Sequence, residues 1–265
     1  MRRILLTNDD GIDSPALIPL ARALGEVGDV TVVVPDRECS WVAKAITRFD
    51  PVSVEKTHRG GVTMFTTSGY PADATQLGVY GLLGNSPPDL VVSGINLGYN
   101  HGAGFLMSSG TVGAAVEAWI SGIDAVAVST GVMSDWHMWR TQAESPDSGE
   151  AWAILAAVTV DVVRSLDRSG LHDLADVVSV NMPFQSTLST PRRVTTIARV
   201  GYDRLFAPTG DGRYSHQYSG GIRHHGAVDG NDIDAAHDGV ISVTPILMPQ
   251  SALVPDDIRR SIESR

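Results

Sequence analysis

The chain has 265 residues, 43% of them hydrophobic, and its 20 basic and 30 acidic side chains give a formal net charge of −10. This size and apolar content predict one large α/β domain, or a domain with an appendage, and exclude a largely disordered chain. The acidic balance excludes duplex nucleic acid as the main partner, because binding to phosphate backbones requires a basic surface. It does not exclude a single phosphate held by a metal ion.

Cysteine content and hydropathy predict a cytoplasmic protein. Cys39 is the single cysteine, so no disulfide can form within the chain, which is typical of a reducing compartment. No segment approaches 18 uninterrupted apolar residues, and no signal-like apolar run follows Met1. We therefore expect no membrane partner.

The first strand and its exit, residues 4–11, read Ile-Leu-Leu-Thr-Asn-Asp-Asp-Gly. The apolar residues predict a short buried strand, which ends at Asp9 and Asp10. A helical pattern follows, with Ser14 as the expected N-cap. The two carboxylates are therefore expected at the carboxyl end of a strand, where open α/β sheets bind ligands.

Two neighbouring carboxylates repel each other when both are ionised. Keeping both charges requires a cation, or else one carboxylate takes a proton. A hard divalent cation such as Mg²⁺ or Mn²⁺ prefers oxygen ligands and would satisfy the pair. These residues leave one alternative open, in which Asp9 caps the next helix while Asp10 faces water.

A second strand at residues 30–34 leads into a polar loop at residues 35–40. Right-handed crossovers bring the ends of successive parallel strands together, so Ser40 is expected close to the acidic pair. Arg37 is a candidate for binding a substrate phosphate. The alternative for Arg37 is a salt bridge to a carboxylate of its own loop.

A hairpin (residues 51–55 and 62–66) and a helix (residues 71–83) are predicted before the next strand, residues 88–96. That strand ends at Asn96. The carbonyl oxygen of an asparagine is a good neutral ligand for a hard cation.

A glycine-rich stretch, residues 98–108, predicts a flexible loop that ends where a helix begins at Ser109, Gly110 and Thr111. Hydroxyl groups and free backbone N–H groups at a helix N-terminus suit a phosphate. Ordinary capping by Ser109 or Thr111 is the alternative.

The remaining chain changes character near residue 190. Residues 202–227 are rich in Gly, Tyr, His and Arg without periodicity, so they predict an arm that extends over a neighbouring molecule. The other predicted elements are a strand at 123–129, a surface loop at 132–144, a helix at 150–166, strands at 177–180 and 194–200, a helical turn at 231–237, a strand at 240–244 and a last helix from Pro255.

Together these signals predict an all-oxygen metal site beside a phosphate cradle at one edge of the sheet. The expected ligands of Mg²⁺ or Mn²⁺ are Asp9, Asp10, Ser40 and Asn96. The expected phosphate and substrate contacts are Asn8, Arg37, Trp41, Ser109, Gly110 and Thr111. Such a metal lowers the pKa of a bound water and offsets phosphoryl charge, and Asp9 or Asp10 accepts the water's proton.

Motifs along nearly the whole chain carry a family resemblance. They are LLTNDDG at 5–11, the loop 35–40 with AIT at 45–47, residues 69–73, PDLVVSGIN at 88–96, SGTVGAA at 109–115, residues 180–183 and VTP at 243–245. With these motifs the sequence resembles the SurE family, the stationary-phase survival protein E group of metal-dependent nucleotidases.

The resemblance implies an α/β fold, a Rossmann-like three-layer sandwich with a mostly parallel sheet. Residues 1–190 would form this metallophosphatase core, and residues 191–265 a smaller β-rich C-terminal arm. It also implies a divalent-metal-dependent phosphomonoesterase that hydrolyses nucleoside 5′- or 3′-monophosphates. The implied assembly is a homodimer or homotetramer, joined through the arm.

Three departures from the family concern the substrate pocket. Trp41 stands where glycine is usual and Ser108 where tyrosine is usual, and the loop 101–108 is one residue longer. Trp41 narrows the pocket or offers a stacking face. The alternatives are therefore a phosphatase for another small phosphoester, such as a sugar or metabolite phosphate, or a catalytically silent oligomeric ligand-binding protein.

Two other classes of protein begin with an acidic pair. Aspartyl-phosphate phosphatases need Asp-x-Asp with the first aspartate as nucleophile, and here Asn8 occupies that position. Receiver modules place an acceptor aspartate after a PDLV strand, and here Ser93 stands there. The sequence disfavours both.

Overall fold

The computed structural model describes residues 1–84, 86–218, 221–226 and 229–263. Its strands are β1 (Arg2–Thr7), β2 (Gly28–Pro35), β3 (Val54–Arg59), β4 (Val62–Thr67), β5 (Leu90–Leu97), β6 (Ala125–Gly131), β7 (Val177–Pro183), β8 (Arg192–Val194), β9 (Val200–Tyr202), β10 (Phe206–Pro208), β11 (Tyr214–His216), β12 (Ile222–His224) and β13 (Ile241–Ile246). Its helices are α1 (Leu17–Leu24), α2 (Pro71–Leu77), α3 (Gly102–Ser108), α4 (Gly110–Ile120), α5 (Trp136–Ala143), α6 (Gly149–Ser169), α7 (Asp232–His237) and α8 (Asp256–Glu263).

Nine of the described strands form one mostly parallel sheet, in the order β3-β4-β2-β1-β5-β6-β7-β13-β8. The strands from β4 to β7 in this order run parallel, whereas β3 and β13 run antiparallel to their neighbours β4 and β7. The central strands β1, β5 and β6 are almost wholly buried, as expected of parallel strands covered on both faces.

Helices cover both faces of this sheet and so form three layers. On one face α1 and α6 bury residues such as Leu17 and Trp152 in one apolar core. On the other face α2 and α4 contribute Ala74 and Val112 to a second core. The predicted α/β class and three-layer arrangement are confirmed, and so are the hairpin β3–β4 and the long helix α6.

Two predicted loops are helices. Residues 102–108 form α3, because Gly102 and Gly104 allow close contact with β9: a Cβ at Gly102 would lie 2.3 Å from Val200 Cγ2. Residues 136–143 form α5, which begins at Asp135, whose carboxylate accepts the Met138 N–H at 3.0 Å. The sequence reading took these glycines for flexibility and found no period in the aromatic residues of α5.

The predicted cap of α1 is also wrong. The helix begins at Leu17 after Ala16, without a side-chain cap. The hydroxyl of Ser14 is buried and has no hydrogen-bond partner among the described residues. Two tight turns lead into the helix instead: the Ser14 N–H donates to the Gly11 carbonyl, and the Leu17 N–H donates to the Ser14 carbonyl.

The C-terminal region contains small sheets. The predicted strand 194–200 is divided between β8 and β9, and among the described residues β9 pairs with β12 and β10 pairs with β11, both antiparallel. Part of the predicted arm at 202–227, including Ala227, lies outside the described residues. Within the described part of the chain, no helix is both long and apolar enough to cross a membrane.

Candidate active site

The acidic pair lies in a tight turn after β1, and Asn8 holds this turn. The Asn8 side chain accepts the Gly11 N–H at 3.1 Å and donates to the Gly11 carbonyl at 3.0 Å. Gly11 has φ +77°, and a Cβ there would lie 2.5 Å from the Arg37 carbonyl oxygen. Asn8, predicted as a substrate contact, thus uses its amide within the turn and fixes the direction of the residues that follow.

Asp9 lies at the N-terminus of α4. Its side chain is 4% exposed, and its Oδ1 accepts a hydrogen bond from the Thr111 hydroxyl. A Cβ at Gly110 would lie 3.0 Å from Asp9 Oδ2 and 3.2 Å from the Cys39 carbonyl oxygen. The missing side chain at Gly110 therefore makes room for this carboxylate against the start of the helix.

Asp10 faces the end of β5, where its Oδ2 accepts the Leu97 N–H at 3.0 Å. Neither Asp9 nor Asp10 forms an ion pair with a described residue. Burial raises the pKa of Asp9 to about 6, although the hydrogen bond from Thr111 acts in the opposite direction. Burial and the nearby Asp9 charge raise the pKa of Asp10 well above its ordinary value.

These features fit a divalent cation. Asp10 Oδ1 accepts no hydrogen bond from the described residues, Asp9 Oδ2 accepts none from a described side chain, and the pair is costly to ionise without a counter-charge. A hard cation coordinated by both carboxylates would remove that cost and would use the free oxygen atoms as ligands.

The loop after β2 brings Ser40 to the same place. The Cys39 N–H donates to the Asp9 carbonyl at 2.7 Å, which fixes the backbone of this loop beside the acidic turn. The exposed Ser40 hydroxyl donates to Glu38 Oε1 at 2.7 Å. Glu38 is in turn held by Arg140 of α5, at 3.0 Å between Nη2 and Oε2.

Asn96 completes the predicted set at the end of β5. Its Nδ2 donates to the Gly98 carbonyl at 2.6 Å, so its carbonyl oxygen is left for a ligand. The register of β5 against β6 shifts between Ser93 and Asn96, where Gly94 has φ +134° and comes close to β6. Asn96 directly precedes Leu97, whose N–H contacts Asp10, so the two residues bring the end of β5 to the acidic turn.

The start of α4 combines capping with a contact to the acidic pair. Ser109 is the N-cap, and its hydroxyl accepts the Val112 N–H at 3.1 Å. The capping alternative is therefore correct for Ser109. Thr111 is fully buried, and both its hydroxyl and its backbone N–H point at the Asp9 carboxylate, while the N–H of Gly110 lies at the first turn of the helix.

Arg37 and Cys39 flank the site. Arg37 binds the Asp36 carboxylate at 2.9 Å and the Ser68 carbonyl at 2.6 Å, so its alternative as a salt bridge within the loop is the arrangement found. Cys39 is buried, its thiol lies 3.7 Å from the Arg37 carbonyl, and burial raises its pKa. Both residues shape the loop that carries Ser40.

Trp41 lies in an aromatic cluster built from three separate segments. Its ring centroid lies 6.1 Å from that of Phe105, 5.1 Å from Tyr202, 5.2 Å from His216 and 5.7 Å from Tyr218. The Trp41 backbone has φ +62°, a conformation that favours glycine, and its side chain remains 38% exposed. These five residues, called the aromatic cluster below, cover one side of the site.

Ser108, which stands where the family usually has tyrosine, lies in the same region. Its hydroxyl donates to the Gly104 carbonyl and shares a 2.9 Å hydrogen bond with the Tyr202 hydroxyl. Its own carbonyl accepts the Ala43 N–H at 3.0 Å. Ser108 thus connects α3, the C-terminal segment and the loop that follows Trp41.

Sequence reasoning missed Glu38, Trp136 and Arg140. The available signals were local: Asp135 could have been recognised as an N-cap, and Arg140 with Glu144 as an i,i+4 pair. Neither signal indicates that α5 would contact the loops of Ser40 and Asn96, because those contacts depend on the tertiary fold.

Comparison with known proteins shows which family the sequence and fold match. The family described as "Survival protein SurE" matches residues 4–204. A 5′-nucleotidase SurE of Methanocella arvoryzae is 34% identical over 252 residues, covering 94% of this chain and 93% of that protein. One of Methanopyrus kandleri is 36% identical, covering 92% and 90%. The crystal structure of the SurE protein from Aquifex aeolicus matches with a TM-score of 0.71 and 29% identity over 98% of both chains.

Proposed function

Because the chain belongs to the SurE family, we propose that it is a divalent-metal-dependent phosphomonoesterase acting on nucleoside 5′- or 3′-monophosphates. Its curated relatives are phosphoric monoester hydrolases by name, and this chain is an enzyme of that class. The metal requirement and the choice between 5′- and 3′-phosphates are the parts that the experiment below addresses.

The main observation that supports this proposal is the environment of Asp9 and Asp10. Two adjacent carboxylates lie close together without an ion pair to any described residue: Asp9, 4% exposed, faces the first turn of α4, and Asp10 faces the end of β5. An arrangement of this kind is costly in a protein that binds only neutral ligands. It is economical in one that binds a cation and a phosphate together.

Four side chains would hold Mg²⁺ or Mn²⁺: Asp9, Asp10, Ser40 and Asn96. When bound, the cation acidifies a water and offsets charge on the phosphoryl group. The N–H of Gly110, at the start of α4, orients a phosphate oxygen, as helix N-termini do for anions. Thr111 keeps the Asp9 carboxylate in place during the reaction.

Proton transfer falls to one of the two aspartates. Asp9 or Asp10 accepts the proton of the attacking water, the new P–O bond forms as the ester P–O bond breaks in line, and the departing oxygen takes a proton from that carboxyl group or from solvent and leaves as the alcohol. No side chain of this chain needs to form a covalent intermediate. Asn8, at the first position of an Asp-x-Asp pattern, holds the turn through Gly11 and is not a nucleophile.

The test is hydrolysis of a generic aryl phosphate by the protein, first with EDTA and then with Mg²⁺ or Mn²⁺ restored. We expect EDTA to abolish turnover and either cation to restore it. A phosphatase screen over nucleoside monophosphates, sugar phosphates and other small phosphoesters then identifies the substrate. Turnover that is insensitive to EDTA would contradict the metal-dependent mechanism.

A second candidate substrate class is supported by the aromatic cluster. Trp41 directly follows Ser40 and packs against four other rings, so a large side chain stands at a position where glycine is usual in the family. A phosphoester smaller than a nucleotide, such as a sugar or metabolite phosphate, would fit a narrowed pocket better. In the screen, this candidate predicts a higher kcat/KM for compact phosphoesters than for nucleotides.

The assembly is proposed to be a homodimer or homotetramer in the cytoplasm. Support comes from the C-terminal region, where α8 has no buried residue and exposes Ile258 and Ile262. Sedimentation equilibrium of the full chain tests the assembly, and a monomer at micromolar concentration would contradict it.

A further inference from the structure

Helix α5 contacts the two loops that carry the proposed neutral metal ligands. Arg140 reaches Glu38 in the loop of Ser40, with Nη1–Oε1 and Nη2–Oε2 distances of 3.3 and 3.0 Å. Trp136 lies against the loop of Asn96, since a Cβ at Gly98 would be 3.7 Å from Trp136 Nε1. The single helix α5 therefore contacts both the Ser40 loop and the Asn96 loop.

The contacts run in series from α5 to the Ser40 hydroxyl. Arg140 is held by Glu144 one helical turn away, with Nε–Oε1 at 2.7 Å, and its guanidinium lies 5.3 Å from the Trp136 ring centroid. Its two terminal nitrogens then bind both Glu38 oxygens. Glu38 Oε1 in turn accepts the Ser40 hydroxyl proton at 2.7 Å.

The direction of this last hydrogen bond matters for metal binding. A hydroxyl coordinates a cation through an oxygen lone pair, so its proton must point elsewhere. A carboxylate acceptor fixes that orientation and makes the oxygen a better donor to the metal, as outer partners of metal ligands do. Glu38 gives this orientation only if its carboxylate is itself held, and the bidentate pair with Arg140 holds it.

We propose that Arg140 is a positioning residue for the metal site: through Glu38 it fixes the Ser40 hydroxyl as a ligand. The inference rests on the proposed metal-dependent function, with Ser40 among the ligands. Arg140 contacts neither Asp9 nor Asp10 and is not required to touch substrate. Its effect is therefore expected on the affinity for the cation itself.

Electrostatics alone predicts the opposite change in cation affinity when Arg140 is replaced, so one measurement distinguishes the two explanations. A guanidinium near a cation site repels the cation, so removing its charge should tighten Mn²⁺ binding. Positioning predicts that the same change weakens binding, because Glu38 and then Ser40 lose their fixed orientation. Arg140→Lys keeps the charge and loses the fork, so it isolates the positioning part.

The experiment measures the Mn²⁺ dissociation constant of the full-length protein by calorimetry, without substrate. We expect Arg140→Gln and Arg140→Lys each to weaken Mn²⁺ binding by about tenfold, the lower range for outer partners of metal ligands. Glu38→Gln should weaken it at least as much. The double variant Glu38→Gln with Arg140→Gln should be no weaker than Glu38→Gln alone, because the two residues act in series.

Arg192→Gln is the matched control. Arg192 is 25% exposed against 23% for Arg140, and it also binds a helix carboxylate, Asp161, but at β8 on the far edge of the sheet. Its Mn²⁺ affinity should equal that of the unaltered protein. Melting curves check that each variant is folded. If Arg140→Gln does not fold, Arg140→Lys replaces it in the binding measurement.

Each outcome decides something. Tighter or unchanged Mn²⁺ binding in both Arg140 variants overturns the positioning role, as does a double variant in which the two losses add fully. Unchanged Mn²⁺ affinity with a raised KM would make Arg140 a substrate contact instead, and also overturns it. If the unaltered protein does not bind Mn²⁺, the proposed metal function is overturned. If Asp9→Asn loses Mn²⁺ binding while the Arg140 variants keep the full Mn²⁺ affinity, only this inference is overturned.

Discussion

The two sides of the candidate site are built in different ways. On the sheet side, the acidic turn follows a six-residue strand, and Asp9 and Thr111 are almost completely buried. On the other side, the aromatic cluster depends on three-residue strands such as β9 and β11, and Trp41 is 38% exposed.

This difference indicates a division of roles. Backbone hydrogen bonds of the central sheet fix the charged atoms, so a small change there should affect chemistry strongly. Ring contacts between distant segments form the other side, and each is worth about 0.5–1.5 kcal/mol beyond its buried area. Changes there should alter which substrate enters, with little effect on the reaction itself.

The largest effect is expected on the sheet side, from Asp9→Asn. Asparagine keeps an acceptor for the Thr111 hydroxyl but removes one charge from the proposed metal site. We expect kcat/KM for an aryl phosphate to fall by about 10³-fold, since metal stabilisation of the transition state is worth several kcal/mol. Steady-state kinetics with saturating Mn²⁺ measure it.

Asp13→Asn is the control for this change, because the Asp13 side chain is 79% exposed and forms a surface ion pair with Arg59. It should keep full activity. Full activity of Asp9→Asn under saturating metal would refute the proposed site, and loss of its folded circular-dichroism spectrum would show that Asp9 is structural.

A smaller effect on the same side is expected from Gly110→Ala. The new Cβ would lie 2.8 Å from Asp9 Cβ, so the carboxylate must move. A displacement of about 1 Å in a catalytic group can cost about 10²-fold in rate. Gly149→Ala, at the first residue of α6, has open space around its Cβ and should be neutral. Equal rates for the two variants would contradict the close packing of Asp9 on α4.

The acidic pair should also make the stability of the metal-free protein depend on pH. The pKa of Asp9 is raised from 3.8 to about 6 in the folded state, so folding favours its protonated form. This contribution is fully present below pH 4 and is lost as the pH rises through about 6. The expected loss is about 2–3 kcal/mol in the free energy of unfolding.

Urea unfolding of the unaltered protein and of Asp9→Asn at pH 4 and pH 7 measures this effect as a difference. Other carboxylates act in the opposite sense, such as Asp89, whose hydrogen bonds from Arg3 lower its pKa to about 2, and they cancel in the comparison. Mn²⁺ at pH 7 should remove the penalty of the unaltered protein. A stability difference between the two proteins that is the same at both pH values would contradict the burial of an ionisable Asp9.

The sequence predicted the sheet side of the site better than the opposite side, called the rim below, which contains the aromatic cluster and α5. The reason is physical. Asp9, Asp10 and Asn96 follow apolar strands, and parallel strands necessarily bring their carboxyl ends to one edge. Ser40 follows from the same rule, because β2 is a neighbour of β1. These positions depend on local pattern and on chain topology, both of which can be read from sequence.

The rim depends on contacts without a local signal. Phe105 and Tyr202 meet Trp41 only because α3 packs on β9, and this packing depends on glycines that resemble a flexible loop in the sequence. Arg140 reaches Glu38 across 102 residues of chain. Such side-chain encounters follow from the assembled fold, so periodicity and motif spacing cannot reveal them.

The smallest effect is expected on the rim, from Trp41→Gly. Glycine adopts φ +62° without strain, so the substitution removes a backbone strain of about 1–3 kcal/mol. This gain offsets part of the stability lost with the ring contacts, so we expect a modest net loss of stability. Turnover of a small aryl phosphate should stay within about twofold, because the acidic turn does not depend on this ring. The ratio of kcat/KM for nucleotides to that for the aryl phosphate should rise several-fold if Trp41 blocks space. It should instead fall, through a higher KM for nucleotides, if Trp41 stacks on a nucleobase. Trp41→Phe keeps a ring at this position and should leave the ratio close to that of the unaltered protein. An unchanged ratio in Trp41→Gly with undiminished stability would show that the aromatic cluster has no role in selectivity, and the contrast between the two sides of the site would then lack its functional meaning.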